Sequence, residues 1–444
     1  MLSVLANRTY CRLFAAQAIA LLGTGLATVA LGLLAFELAG GEAGAVLGTA
    51  LAIKMLAYIG VAPVVGAFAD RLPRRGFLIA MDMVRAAVAL LLPFVDQVWQ
   101  VYLLIFLLQT ASAGFTPTFQ ATIPDVLPEE RDYTRALSLS RLAYDLESLV
   151  SPMLAAALLS LISFHWLFSG TAIGFLASAL LVVSTRLPQP KPAGPRPGGI
   201  YAKTTRGIRI YLKTPRLRGL LAVTLASAAA SAMVIVNTVV IVRDLLKLSQ
   251  ADVAWALAAY GCGSMLAALL LPRLLDRGGD RLVMLSAAVV LSLGLAALAA
   301  IMASGTLSLW TLLLAGWFLL GAAYSTCVTP TGRLLRRSAQ PEDSPTLFAA
   351  QFALSHACWL LAYPLAGWLG AEAGQPAALF GMAAIAAAGT IAAAWLWPRR
   401  DPDILSHRHD ELPPDHPHLR EEHKGGAAHA FVIDDLHTSW PSRG

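Results

Sequence analysis

The chain has 444 residues, of which 57% are hydrophobic and only 14% charged, with a mean hydropathy of +0.65. That balance excludes a soluble globular domain and points to a polytopic helical membrane protein. The formal charge of +6 records membrane topology and gives no reason to expect a nucleic-acid partner. Cys11, Cys262, Cys327 and Cys358 are scattered through apolar stretches without a CxxC, so neither a disulfide framework nor a thiolate metal cage is indicated.

Twelve apolar runs are each long enough to cross a bilayer, which needs ~20 residues. They fall at about 11–38, 43–69, 77–94, 98–123, 134–163 and 166–185, then 217–246, 251–275, 282–303, 307–334, 345–370 and 377–397. No cleavable leader is evident, since the first run leads straight into the second. Arg8, Arg12, Arg71, Arg74, Arg75, Arg131, Arg135, Arg273, Arg277, Arg281, Arg333, Arg336, Arg337, Arg399 and Arg400 fall on one side. The opposite turns carry Glu42, Asp96 and Glu372 and, apart from Arg243 and Lys247, no Lys or Arg. The positive-inside rule then places both termini in the cytoplasm and the bundle in a plasma (inner) membrane.

The expected domains are a six-helix bundle over 1–188, a Pro-rich cytoplasmic linker over 189–216, a second bundle over 217–398 and a tail over 399–444. An amphipathic helix lying on the membrane surface is expected within 201–212. The bundles read as parallel repeats. Thr116-Pro117-Thr118 is matched by Thr329-Pro330-Thr331, Pro128-Glu129-Glu130 by Pro341-Glu342-Asp343, and Ser151-Pro152 by Tyr363-Pro364. Asp70-Arg71 is echoed by Asp276-Arg277, where Gly278 and Gly279 shorten the basic turn.

The turn after the second run reads Gly66-x-x-x-Asp70-Arg71-x-Pro73-Arg74-Arg75. Its aspartate ends a helix whose dipole disfavours an anion, so neighbouring cations are expected to hold it. This motif resembles the signature of the major facilitator superfamily between its second and third helices, with Pro73 standing where glycine is usual. The opening Asn7-Arg8-x-Tyr10-x-Arg12-Leu13-Phe14-x-x-Gln17 and the pair Asp82-x-x-Arg85 resemble that superfamily's exporters of drugs, siderophores and metals. The resemblance implies an all-α membrane fold of two six-helix bundles that rock in alternating access, usually driven by protons. It implies an inner gate at Gly66, Asp70, Arg71, Arg74, Arg75, Asp82 and Arg85. The alternative is a topology signal with a local ion pair. Separately, no nucleophile–base set, phosphate-cradling glycine loop or closed metal site in the sequence suggests an enzyme. Length, layout and a His-bearing tail further resemble nickel-resistance exporters of the NreB type.

Charges inside the spans are costly, roughly 2.5–3.5 kcal/mol at a helix centre on insertion scales, so they normally face the bundle interior. Lys54, Arg141, Asp145 and Glu147 are expected to form one polar group in the first bundle, with a carboxylate exchanging protons. A static cluster that fixes packing is the competing reading. His356, flanked by Gln351, Ser355, Cys358, Trp359 and Tyr363, is either a packing residue or a ligand or proton site. Asn237, Tyr260, Cys327 and Gln109 are further candidates for the cavity wall.

The tail holds His407, His409, His416, His418, His423, His429 and His437, seven of the nine histidines. The pairs His407-x-His409 and His416-x-His418 point the same way in an extended chain. With carboxylates and no thiolate they suit Ni²⁺, Co²⁺, Zn²⁺ or Cu²⁺. The Phe431–His437 stretch is more apolar and is expected to dock on the protein.

These readings converge on a transporter and leave its cargo open. One expectation is a proton-coupled exporter of divalent metal, nickel first and cobalt beside it; the other is an exporter of a siderophore, drug or other organic molecule. A membrane metal sensor that transports nothing is the third reading. The partners expected are lipid, protons and a small cargo, with no resident cofactor and a monomeric state.

Overall fold

The computed structural model describes residues 2–68, 73–187, 200–304, 309–340, 343–399, 401, 404–406, 428–434, 437 and 440. The first half contains α1 (Arg8–Ala39), α2 (Ala43–Phe68), α3 (Arg74–Leu91), α4 (Val98–Val126), α5 (Glu130–Leu159) and α6 (His165–Val183). A linker helix, α7 (Ile200–Lys213), leads to α8 (Pro215–Val240), α9 (Gln250–Ala303), α10 (Leu309–Val328), α11 (Thr331–Arg336), α12 (Ser344–Ala373) and α13 (Gln375–Leu396). Among the described residues ten stretches are long and apolar enough to cross a membrane, the first of them covering both α1 and α2. With α5, whose 30 residues reach ~45 Å at 1.5 Å each, twelve spans result. Ile391 (70% exposed), Trp395 (81%) and Leu180 (69%) stand on the outside, a surface that suits lipid.

Local signals account for the helix ends. Asn7 caps α1, its Oδ1 accepting from the amides of Thr9 (3.0 Å) and Tyr10 (3.1 Å). A proline opens α8, α12 and α13, where its missing N–H costs nothing. The eighth and ninth expected spans run together as α9, bent at Gly279, whose φ of 69° is a conformation that favours glycine. The tenth expected span breaks after Val328 at Thr329-Pro330, leaving α11 as a separate short helix.

In the first half α1 packs on α5 and α6, and α3 and α4 on each other and on α6 and α2; in the second, α8, α9, α10 and α13 form the equivalent core. The halves meet along α2–α12 and α5–α9. Helix α8 lies deepest, with Ala226, Ala228, Ala229, Ala230 and Ala232 fully buried, as small residues allow backbones to approach closely in lipid.

Helix α7 is joined to the second half by side-chain bonds. Arg206 makes a two-pronged bond to Asp343 (2.7 and 2.9 Å) and the Tyr211 hydroxyl donates to Gln351 (2.5 Å), tying α7 to α12. Burial pushes the Tyr211 hydroxyl pKa up from its usual value. In the tail, β1 (Ile404–Ser406) pairs antiparallel with β2 (Ala428–Ala430). Phe431 and Ile433 then join the same apolar core as Leu217, Leu220 and Trp397, so the expected docking is seen. Arg216 holds this corner, with Asp401 at 3.3 Å and its guanidinium 5.5 Å from the Trp440 ring centre.

Candidate transport path and gates

Lys54 and Tyr58 lie one turn apart on α2, and across the seam stand Phe352 and His356 of α12. The Tyr58 ring stacks on His356 at 5.6 Å and 16°, and His356 lies 4.0 Å from Phe352. His356 Nδ1 sits 2.7 Å from the Phe352 carbonyl, leaving the other ring nitrogen for a different partner. Lys54 lies within electrostatic reach of both Glu147 of the first half and His356 of the second. Glu147 Oε1 is 3.4 Å from the β-carbon position of Gly25, which places the carboxylate against α1. The side chains of Arg141 and Asp145, expected in the same group, lie outside the described residues.

The polar residues of α1 divide by role. Gln17 accepts from Ser140 of α5 at 2.9 Å. Thr24 and Thr28 instead return their hydroxyls to their own helix, at Ala20 and Thr24 carbonyls 3.0 Å away.

Beyond His356 the wall is aromatic. Trp359 stacks beside Tyr363 at 5.1 Å, Tyr324 meets Trp359 edge-on at 6.2 Å, and Tyr260 lies 5.9 Å from Tyr324. Tyr58, Phe352 and Tyr324 are wall residues that the sequence alone does not single out. Tyr58 has a signal, since it stands one turn from Lys54 on the same face. The partners on α10 and α12 lie in the other half of the chain and carry none.

At the end of the bundle opposite the termini, α2 and α12 close on each other. A β-carbon at Gly48 would collide with the Tyr363 carbonyl, and one at Gly367 with the Gly44 carbonyl. Only glycine permits this approach of α2 to α12. Asn237 of α8 ties the knot: its Nδ2 donates to the Ala366 carbonyl (2.8 Å), and its Oδ1 accepts from Gln375 (3.4 Å) and lies 2.5 Å from the β-carbon position of Gly44. Asn237 thus belongs to the seal between halves. Gln109 and Cys327 are buried, Cys327 with its Sγ 3.6 Å from the Met284 carbonyl.

At the opposite end, Gly66 sits in the last turns of α2, and Asp70 and Arg71 lie outside the described residues. Arg74 pairs with Asp125 of α4, and Arg75 donates to the Val183 carbonyl at the end of α6. Asp82 and Arg85 lie farther along α3. They pair with each other; Ser178 donates to Asp82 at 2.7 Å, and the Arg85 guanidinium lies 4.1 and 4.5 Å from the Phe115 and Phe175 ring centres. The partners named here belong to the first half: position 82 is two turns into α3, on a side that meets α6.

His407, His409, His416, His418 and His423 lie outside the described residues, and His429 is placed only as a position on β2. His437 is buried, its Nδ1 2.9 Å from Asp434 and its ring edge-on to Phe431. Among the described residues no three His, Cys, Asp or Glu side chains gather as a metal site requires.

A protein-family model described as Major Facilitator Superfamily matches residues 13–242 and 219–421. Macrolide efflux protein A of Enterococcus faecalis is 27% identical over 153 residues, 32% of this chain and 47% of that protein. Its namesake of Streptococcus pyogenes is 28% identical over 149 residues, so the chain spans under half the length of these two relatives. The uncharacterized MFS-type transporter YfiS of Bacillus subtilis is 25% identical over 309 residues, 66% of this chain and 71% of that one. Among solved structures, a mutant of the nucleoside transporter NupG overlays with a TM-score of 0.71 at 14% identity, covering 88% of this chain and all of that one. A D-xylose-proton symporter overlays at 0.64 with 14% identity, over 87% and 97%. Twelve spans in two halves, joined along α2–α12 and α5–α9 and matched by the family model over nearly the whole chain, make this protein a membrane transporter of the Major Facilitator Superfamily.

Proposed function

We propose that this protein is a secondary active exporter of a small, ring-bearing organic molecule, coupled to protons through Glu147. The observation that carries this reading is the aromatic wall from Tyr58 through Phe352, His356, Trp359 and Tyr363 to Tyr324 and Tyr260. Rings of this kind hold flat apolar surfaces by offset stacking and burial. A hydrated divalent cation needs converging oxygen or nitrogen donors instead. The macrolide efflux relatives support the same direction and cargo class.

In this reading both termini face the cytoplasm across an inner membrane, the monomer is the working unit, and the Gly44–Gly48–Gly367 contact is the outer seal of the alternating-access cycle. Glu147, within electrostatic reach of Lys54, changes its surroundings when cargo enters between α2 and α12, and then takes up or gives back a proton. A second reading, export of nickel or cobalt, rests on the two His-x-His pairs of the tail, which would collect metal on the cytoplasmic face.

Accumulation in cells with and without the protein separates the two. Ethidium-like dyes and macrolides should accumulate several-fold less when it is present, while labelled nickel and cobalt stay level. Lower metal content with unchanged dye would reverse the choice.

A further inference from the structure

At the end of the bundle opposite the termini, a cleft of about 390 Å³ opens sideways between the halves. That volume lies in the range of sites for small ligands. Met153 of α5 forms one wall; Asp252, Trp255 and Cys262 of α9 and Trp310 and Leu314 of α10 form the rest. Among the described residues Asp252 is its one charged lining residue, and its Oδ2 is held by the Ser249 amide (2.9 Å) and hydroxyl (2.6 Å). Trp255 is 50% exposed, as tryptophans at the ends of membrane spans commonly are.

Trp255, Cys262, Leu266 and Leu269 recur at helical spacing and so share one face of α9, with Leu266 46% and Leu269 67% exposed. The strip therefore runs ~20 Å from the cleft into the bilayer, at 1.5 Å per residue. A bilayer leaflet contributes ~15 Å of hydrocarbon, so one acyl chain covers the ~10 Å from Cys262 to Leu269 below the head of the strip. The head of the strip offers a carboxylate beside an indole face, which suits an ammonium group by charge and by cation–π attraction.

We propose that this cleft binds one aminophospholipid of the phosphatidylethanolamine type, its ammonium on Asp252 and Trp255 and one chain along Cys262, Leu266 and Leu269. Because Met153 comes from the other half, the bound lipid touches both bundles and favours the conformation in which this end is closed.

The test uses the full chain, purified from bilayers of equal phosphatidylethanolamine and phosphatidylglycerol, with retained lipid weighed by native mass spectrometry. One phosphatidylethanolamine should be retained with a roughly threefold preference, the scale of a half-exposed ion pair. Asp252→Asn keeps the Ser249 hydrogen bonds and should erase the preference at unchanged unfolding temperature. Cys262→Trp, which fills the strip, should remove the lipid itself. Retention in proportion to the mixture, a preference that survives Asp252→Asn, or displacement of the lipid by dodecyltrimethylammonium as the better ligand would each overturn the proposal.

Discussion

Where the first half holds an arginine at the start of its third helix, the second half holds an aspartate. Arg74 and Asp280 are 206 positions apart, the same offset that relates Asp70-Arg71 to Asp276-Arg277. Arg74 pairs with Asp125; Asp280 takes Arg333 Nε at 2.9 Å and Arg337 Nη1 at 3.0 Å. The ion pair survives between the repeats with its charges exchanged. The next position keeps both its residue and its role. Arg75 donates to the last carbonyl of α6, and Arg281 to the Ala394 and Trp397 carbonyls (both 3.0 Å) that end α13. These cations also complement the negative ends of those helices. Farther along, Asp82 and Arg85 correspond to Ala288 and Leu291, both fully buried. One half packs hydrocarbon where the other packs an ion pair.

That contrast sets the largest expected effect. Asp82→Ala removes the buried carboxylate that pairs with the Arg85 guanidinium and should destabilise the protein by about 3–5 kcal/mol. The double variant Asp82→Ala, Arg85→Leu copies the second half and should recover most of the loss in detergent thermal unfolding. A double variant no better than the single would show that the halves are not interchangeable here. A smaller effect is expected at Asp280→Asn, which deprives two arginines of one buried anion, about 1–3 kcal/mol. Asp125→Asn should cost under ~1 kcal/mol, because its side chain is 39% exposed and solvent screens the pair. Exchanging Arg74 and Asp125 for each other would copy the polarity of the second half and should be close to neutral.

Where the halves touch, Gly48→Ala forces the Tyr363 carbonyl away and should favour the open state of that end. An overlap of this kind costs ~1–3 kcal/mol, so a maleimide should label Ala43→Cys, a position fully buried in the closed end, roughly tenfold faster in the Gly48→Ala background. Equal rates would mean that the glycine contact does not hold the gate.

The spans, the repeat and the inward charge of Lys54 and Glu147 follow from the sequence because hydropathy and the cost of membrane charge act locally. Matching repeats by residue identity reads the second loop as an abbreviated latch. Its ion pair is inverted, and Gly279 turns the chain so that Asp280, four positions beyond Asp276, carries the charge. The third-helix pair reads as part of the loop because it follows the basic turn closely; only helix packing shows that Ser178 and Phe175 enclose it. The aromatic wall is half legible, as single residues on α12. Its closure needs Tyr58 from the other half and Tyr324 from α10, and no local pattern links them.

The central claim is that Glu147, beside Lys54 and the ring-lined seam, exchanges a proton for an aromatic cargo. Proteoliposomes holding a pH-sensitive dye and an outward gradient of ethidium test it directly. The wild type should move protons against the ethidium flow, and Glu147→Gln should still exchange labelled for unlabelled ethidium while moving no protons. Proton movement that persists in Glu147→Gln, or that follows a nickel gradient and no aromatic one, would contradict the account.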